Sequence, residues 1–193
     1  MGLLKGMKNR LGGGNRYITL HDWQKSRHSR PTFSKEEVRA CTTDPPRFVI
    51  AEQSEKKHLL YTESLITCIG VLIHGRGSRG DVAGLVHALA GKESEETRRV
   101  LKVIEKINSE NHKPQLAVTL VIGDEPDPDL FRNIAANIIE FDNISKNHVK
   151  LIYAGEGEPG FENGFTDPIE YSAKVAYDTK KHQIYLGADK KKK

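Results

Sequence analysis

Ile66-Thr67-Cys68-Ile69-Gly70-Val71-Leu72-Ile73-His74, Gly75-Arg76-Gly77-Ser78-Arg79-Gly80 and, after Asp81, Val82-Ala83-Gly84-Leu85-Val86-His87-Ala88-Leu89-Ala90 form the stretch on which the fold turns. Two apolar runs rich in β-branched residues flank a glycine-rich turn, the pattern of an antiparallel hairpin. With Gly75–Gly80 as the loop, His74 faces Asp81, and Cys68 then faces His87. Directly opposed residues have Cβ atoms roughly 4.5–5.5 Å apart on one face of the sheet. That register brings a sulfur within reach of an imidazole. A slip of one residue would send the two to opposite faces.

Outward from this hairpin, Arg47–Gln53 and His58–Glu63 read as strands on their β-branched and aromatic content. Ser94–Asn108 reads as a helix, with Val100, Ile104 and Ile107 on one stripe beside Leu101 and acidic residues at its start. Leu116–Ile122 is a buried-type strand. Asp129–Phe141 is a second amphipathic helix with Asp129 as its cap. Val149–Ala154 is a strand, Gly155–Phe165 a glycine-rich loop, and Ala173–Asp178 with Gln183–Leu186 a closing hairpin over Thr179–His182. Strands in runs with two helices between them predict an α+β domain, a sheet-rich core covered by helices.

The ends differ from this middle. The 193 residues suffice for one domain with a sizeable core. Residues 1–47 hold ten Lys/Arg against four Asp/Glu, and 48–188 hold sixteen against twenty-one. Residues 189–193 hold four against one. The net charge of +4 therefore belongs to the ends, which argues against nucleic-acid binding by the fold itself. Residues 1–46 are expected to be a basic, disordered arm, with a short helix over Ser34–Ala40, and 189–193 a solvated lysine tail. The catalytic domain is expected over 47–188. No run reaches the ~18 apolar residues of a membrane span, and the N-terminus lacks the apolar region of a Sec signal. The expectation is a cytoplasmic protein, or one secreted without a Sec signal peptide.

Cys41 and Cys68 form no CxxC pair, zinc spacing or disulfide framework. A cysteine in an apolar strand ordinarily packs as a small hydrophobe. Facing a histidine, it becomes a nucleophile. A neighbouring imidazolium lowers a thiol pKa from ~8.5 to around 3.5–7.5, so that thiolate is present at neutral pH. The thiolate adds to a carboxamide carbon, the imidazolium protonates the departing ammonia, and the neutral imidazole then activates water against the thioester. Thr62, on the preceding strand, is the residue expected to orient the imidazole, through its hydroxyl or its backbone carbonyl. Backbone N–H groups near Cys68 are the expected oxyanion donors. His74 lies six positions from Cys68, about 20 Å by strand rise, too far to assist. His58 reads as structural, Cys41 as an exposed spectator in the arm, and the acidic Asp124–Asp129 as a solvated turn rather than a calcium loop.

Tyr61-Thr62-Glu63-Ser64-Leu65-Ile66-Thr67-Cys68 followed by Ala83-Gly84-Leu85-Val86-His87 resembles CheD, the chemoreceptor glutamine deamidase family. There a threonine stands six positions before a cysteine that ends an LGSC-type motif, and the histidine follows on the next strand in a G-G-M-A-H-like context. Phe131-Arg132-Asn133-Ile134 and Val175-Ala176-Tyr177-Asp178 carry the likeness downstream, over roughly residues 48–187. The arrangement is also similar to that of two toxin deamidases, the cytotoxic necrotizing factor catalytic domain and Burkholderia lethal factor. The resemblance implies a β-sandwich core flanked by helices, with Cys68, His87 and Thr62 in the catalytic roles. It implies no metal or organic cofactor. The implied reaction converts an exposed glutamine of a protein substrate to glutamate with release of ammonia. The target would be a chemoreceptor or, for an exported bacterial effector, another protein. Ile66 and Thr67 stand where the motif has glycine and serine. Transglutamination on the same scaffold and a catalytically silent regulatory domain are the alternatives.

Overall fold

A computed structural model describes residues 35–77, 80–123, 125–153 and 169–192. Along the chain run β1 (Val38–Ala40), β2 (Phe48–Glu52), β3 (Leu59–Leu65), β4 (Ile69–Gly77), β5 (Gly80–Ala88) and α1 (Glu93–Glu110). There follow β6 (Leu116–Ile122), α2 (Pro128–Ile138), β7 (Ile144–Tyr153), β8 (Ile169–Asp178) and β9 (Gln183–Lys192). Five strands form one sheet in the order β2-β5-β4-β6-β7, and four form another in the order β1-β3-β8-β9. β6 and β7 are parallel. Parallel neighbours need a crossover, and α2 supplies it. The expected α+β sandwich is what the chain adopts.

Alternation along the central strands explains the layers. Ile69, Val71 and Ile73 of β4, with Val82, Val86 and Ala88 of β5, pack in one core with both helices. Their neighbours Leu72, Ala83 and Leu85 pack in a second core against Leu60, Val175 and Tyr177 of the four-stranded sheet. A sheet covered on both faces has near-continuous apolar strands, which is why β4 and β5 read as unbroken runs. α1 buries Val100, Val103, Ile104 and Ile107 at three- and four-residue spacing. Each such aliphatic side chain contributes about 1.5–3 kcal/mol over its exposed state. Among the described residues, no helix is long and apolar enough to cross a membrane.

The hairpin register departs from expectation. Ile69 faces Ala88, Gly70 faces His87, and pairing continues to Gly77 opposite Gly80. The connection is residues 78–79, not Gly75–Gly80, because the glycines extend both strands instead of breaking them. Every expected partner therefore moves by two. An even slip preserves the face of each side chain. Cys68 does not sit opposite His87; it precedes the first paired residue, in the bend 66–68.

Other boundaries move for local reasons. Val38–Ala40 is a strand paired with Leu59–Tyr61, not the end of a helix from Ser34, which lies outside the described residues. The folded unit thus begins before residue 47. At the other end β9 runs on to Lys192, opposite Ile169, so residues 189–192 continue a strand. The cap of α2 is Asp127 rather than Asp129. Its carboxylate accepts from the N–H groups of Asp129 and Leu130, both at 3.0 Å, with Pro128 in the first turn. The glycine-rich loop expected over Gly155–Phe165 lies outside the described residues.

Candidate active site

β3 brings Thr62 to the site. Between Thr62 and Leu65 its register against β8 shifts, so that Glu63 and Ser64 oppose the single residue Lys174. This is a β-bulge, with Ser64 in the left-handed region at φ 62°. Residues three apart point to opposite faces of a regular strand. The extra residue turns Leu65 inward along with Thr62, and both are fully buried. Beyond Leu65 the chain leaves the four-stranded sheet, crosses through 66–68 and enters the five-stranded sheet as β4. Cys68 sits at the end of that crossing.

His87 comes from the opposite sheet. Its Nδ1 lies 2.8 Å from Thr62 Oγ1, a buried hydrogen bond that spans the sandwich. Its backbone N–H donates to Arg47 O at 2.8 Å. Its other ring nitrogen, Nε2, is buried and has no hydrogen-bond partner. A buried polar atom without a partner is costly and uncommon; Thr97 Oγ1 and the Asn111 side-chain amide are the others among the described residues.

The Cys68 side chain is half-buried and packs against the same inter-sheet core. The Ala90 backbone N–H and the Thr67 hydroxyl lie near its sulfur and favour its charged form. Burial nevertheless pushes the thiol above its ordinary value. Burial and, secondarily, the Arg47 charge push His87 down to about 4. The resting pair is therefore neutral thiol and neutral imidazole. This corrects the expectation of a thiolate held by an imidazolium, because desolvation penalises both charged forms. Neither ring nitrogen of His87 is bonded to the Cys68 sulfur.

Three loops are fastened around the sulfur. Asp127 N–H donates to Thr67 O at 3.1 Å, and the Asp127 carboxylate accepts from Gly91 N–H at 2.9 Å. Gly123 lies so close to the crossing that a Cβ there would meet Leu65 O at 2.0 Å. Glu96, fully buried in the first turn of α1, pairs with Arg47 at 3.0 Å and with Arg99. Arg47 thus ties the helix start to the strand that holds His87.

Of the three residues expected in the site, Thr62 and His87 are brought into contact, and Cys68 shares their side of the sheet without a hydrogen bond to the imidazole. Ala90, Arg47, Glu96 and Asp127 were not foreseen in these roles. The Asp-Pro step at 127–128 signals its cap, whereas the others depend on tertiary contacts. Cys41 is a correction. It is fully buried beside Thr62, its backbone N–H donating to Tyr61 O at 2.9 Å. His58 is buried with Nδ1 3.0 Å from Lys56 O and Nε2 3.7 Å from Asp178, a structural placement. Among the described residues, no group of His, Cys, Asp and Glu is placed to hold a metal ion. No family model matches the chain, and no curated protein matches it.

Proposed function

We propose that this domain is a protein-glutamine deamidase of CheD-like type, with Cys68 as nucleophile, His87 as general base and acid, and Thr62 holding the imidazole. The reading is supported by one observation above all: His87 is anchored at Nδ1 by Thr62 and leaves a buried, unpartnered Nε2 on the side of the sheet where the Cys68 thiol packs. Because both groups rest neutral, Nε2 takes the thiol proton as sulfur adds to the amide carbon. The carbonyl oxygen then carries the negative charge, and the Ala90 N–H, near the sulfur, is a donor within the reacting region. The imidazolium returns its proton to the departing ammonia. Water, deprotonated by Nε2, cleaves the thioester to give glutamate and restores the thiol. A glutamine exposed on a protein is the substrate.

A second reading has its own support. The thiol is raised rather than lowered, and no hydrogen bond joins it to the histidine, as in a silent relative that only binds a partner. Incubation with bacterial lysate in oxygen-18 water separates the readings. A deamidase converts particular glutamines to glutamates carrying solvent oxygen, and Cys68→Ser abolishes this. A transglutaminase attaches an added amine donor instead. Absence of any Cys68-dependent change favours the silent reading.

A further inference from the structure

We infer that Asp127 is a positioning residue: it holds the bend that carries Cys68 against the loop that follows His87, and so sets the reactivity of the thiol. Three segments meet at this one residue. Its backbone N–H donates to the carbonyl of Thr67, which precedes Cys68, at 3.1 Å. Its Oδ2 accepts from the N–H of Gly91, on the loop after β5, at 2.9 Å. Its Oδ1 accepts from the N–H groups of Asp129 and Leu130 and so caps α2. The nucleophile's bend and the end of the histidine strand are thereby tied to one another through the start of a helix.

Both partners are shaped for the contact. Pro128 pushes the residue before it to extended backbone, and Asp127 has ψ 115°, the geometry of an N-cap. Gly91 has φ 71°, in the left-handed region, and a Cβ there would meet nothing within 4 Å. The glycine therefore serves the direction of the backbone rather than space. The two carboxylate oxygens divide the work, one for α2 and one for Gly91. A hydroxyl or an amide supplies a single acceptor oxygen and cannot serve both. Burial opposes ionisation of Asp127, but the N–H groups of Leu130, Gly91 and Asp129 outweigh it and hold the carboxyl below its ordinary value. Both oxygens therefore accept at neutral pH. Asp127 acts through the segments it joins, and its catalytic use rests on the proposed role of Cys68.

The test uses the full-length chain and no substrate. Asp127→Asn and Asp127→Ser both keep a good N-cap for α2, and both lose the second acceptor that Gly91 needs. Hydrogen exchange reads the bond itself: the Gly91 amide is expected to be protected in wild type and to exchange faster in both variants. Alkylation of Cys68 by iodoacetamide, followed by peptide mass across pH, reads the thiol. Ala90 lies in the released loop, and its N–H, near the sulfur, favours the thiolate. The midpoint should therefore move to higher pH, with the rate at neutral pH lower by about two- to tenfold, the net effect of one hydrogen bond. Loss of a negative charge alone would move the midpoint to lower pH, so the sign separates positioning from charge. Glu93, beside Asp127, and Glu96, whose charge opposes the thiolate, are unchanged in both variants. A Gly91 amide that exchanges rapidly in wild type overturns the inference whether or not the variants fold. So does a midpoint that stays or falls in the folded variants. If the midpoint rises while no glutamine is ever converted, the clasp stands and the proposed function falls. Glutamine conversion with an unmoved midpoint does the reverse.

Discussion

His74 on β4 and His87 on β5 both point into the layer between the sheets, four rungs of the ladder and roughly 13 Å apart. At the His74 end, Tyr177 OH donates to Asp81 Oδ2 at 2.8 Å, and His182 Nδ1 binds the same oxygen. Since the phenol's proton goes to Asp81, His74 Nδ1, 3.4 Å away, is the donor to the phenol oxygen. The rings of His74 and Tyr177 lie 4.8 Å apart. That network ties the β8–β9 hairpin to the other sheet. At the His87 end, Thr62 holds one nitrogen and the other has no partner, while the half-buried Cys68 packs against the same inter-sheet core. The same residue type on the same face thus has its ring and a nitrogen engaged in one place and a nitrogen without a partner in the other.

Substitution should separate the two ends. His87→Ala is expected to lower glutamine turnover by about 10²–10⁴-fold. His74→Ala should leave turnover within a small factor, as read by ammonia release under the same conditions. Equal losses from the two would erase the distinction.

Acid sharpens it next. The unfolded His87 imidazole binds a proton below its ordinary 6.5, while the folded one stays neutral down to about 4. Its contribution is complete above 6.5 and is lost as pH falls toward 4; a gap of that size amounts to roughly 3 kcal/mol. His74 is lowered too, by burial, but the Asp81 charge opposes the shift. Denaturant midpoints across this window should flatten more in His87→Gln than in His74→Gln.

Tyr177→Phe should act in the reverse sense to His87→Ala. It removes the proton that Asp81 Oδ2 accepts in a buried setting, and a loss of about 1–3 kcal/mol in unfolding free energy is expected with turnover retained. Smallest is Ser64→Gly, which relieves left-handed backbone at the bulge and should change stability by less than ~1 kcal/mol.

The sequence reading of these regions succeeded unevenly, for physical reasons. β6 was placed residue for residue, since a central strand covered on both faces has no polar ambiguity at its ends. The expected hairpin register is off by two, and because the slip is even it still puts Cys68 and His87 on one side of the sheet. Thr62 was tied to His87 by spacing and resemblance, and the hydrogen bond bears that contact out. The bulge at Glu63–Ser64 had no signal, because neither residue demands left-handed backbone. The burial of Cys41 is invisible in sequence because the three residues of parallel strand before it carry no periodicity. Its burial is fixed by β3 and β5, which lie far along the chain. The thiol's raised pKa follows from desolvation, which residue spacing does not report.

The central claim is that Cys68 and His87 act as one catalytic unit, and non-additivity measures that most directly. Residues of such a unit, removed singly, cost about as much as when removed together. Glutamine-to-glutamate conversion should be compared by mass spectrometry in oxygen-18 water for wild type, Cys68→Ala, His87→Ala and the double variant. Conversion by wild type, with each single loss nearly as complete as the double, is the predicted result. Conversion that survives Cys68→Ala, or two losses that multiply in the double variant, would contradict it.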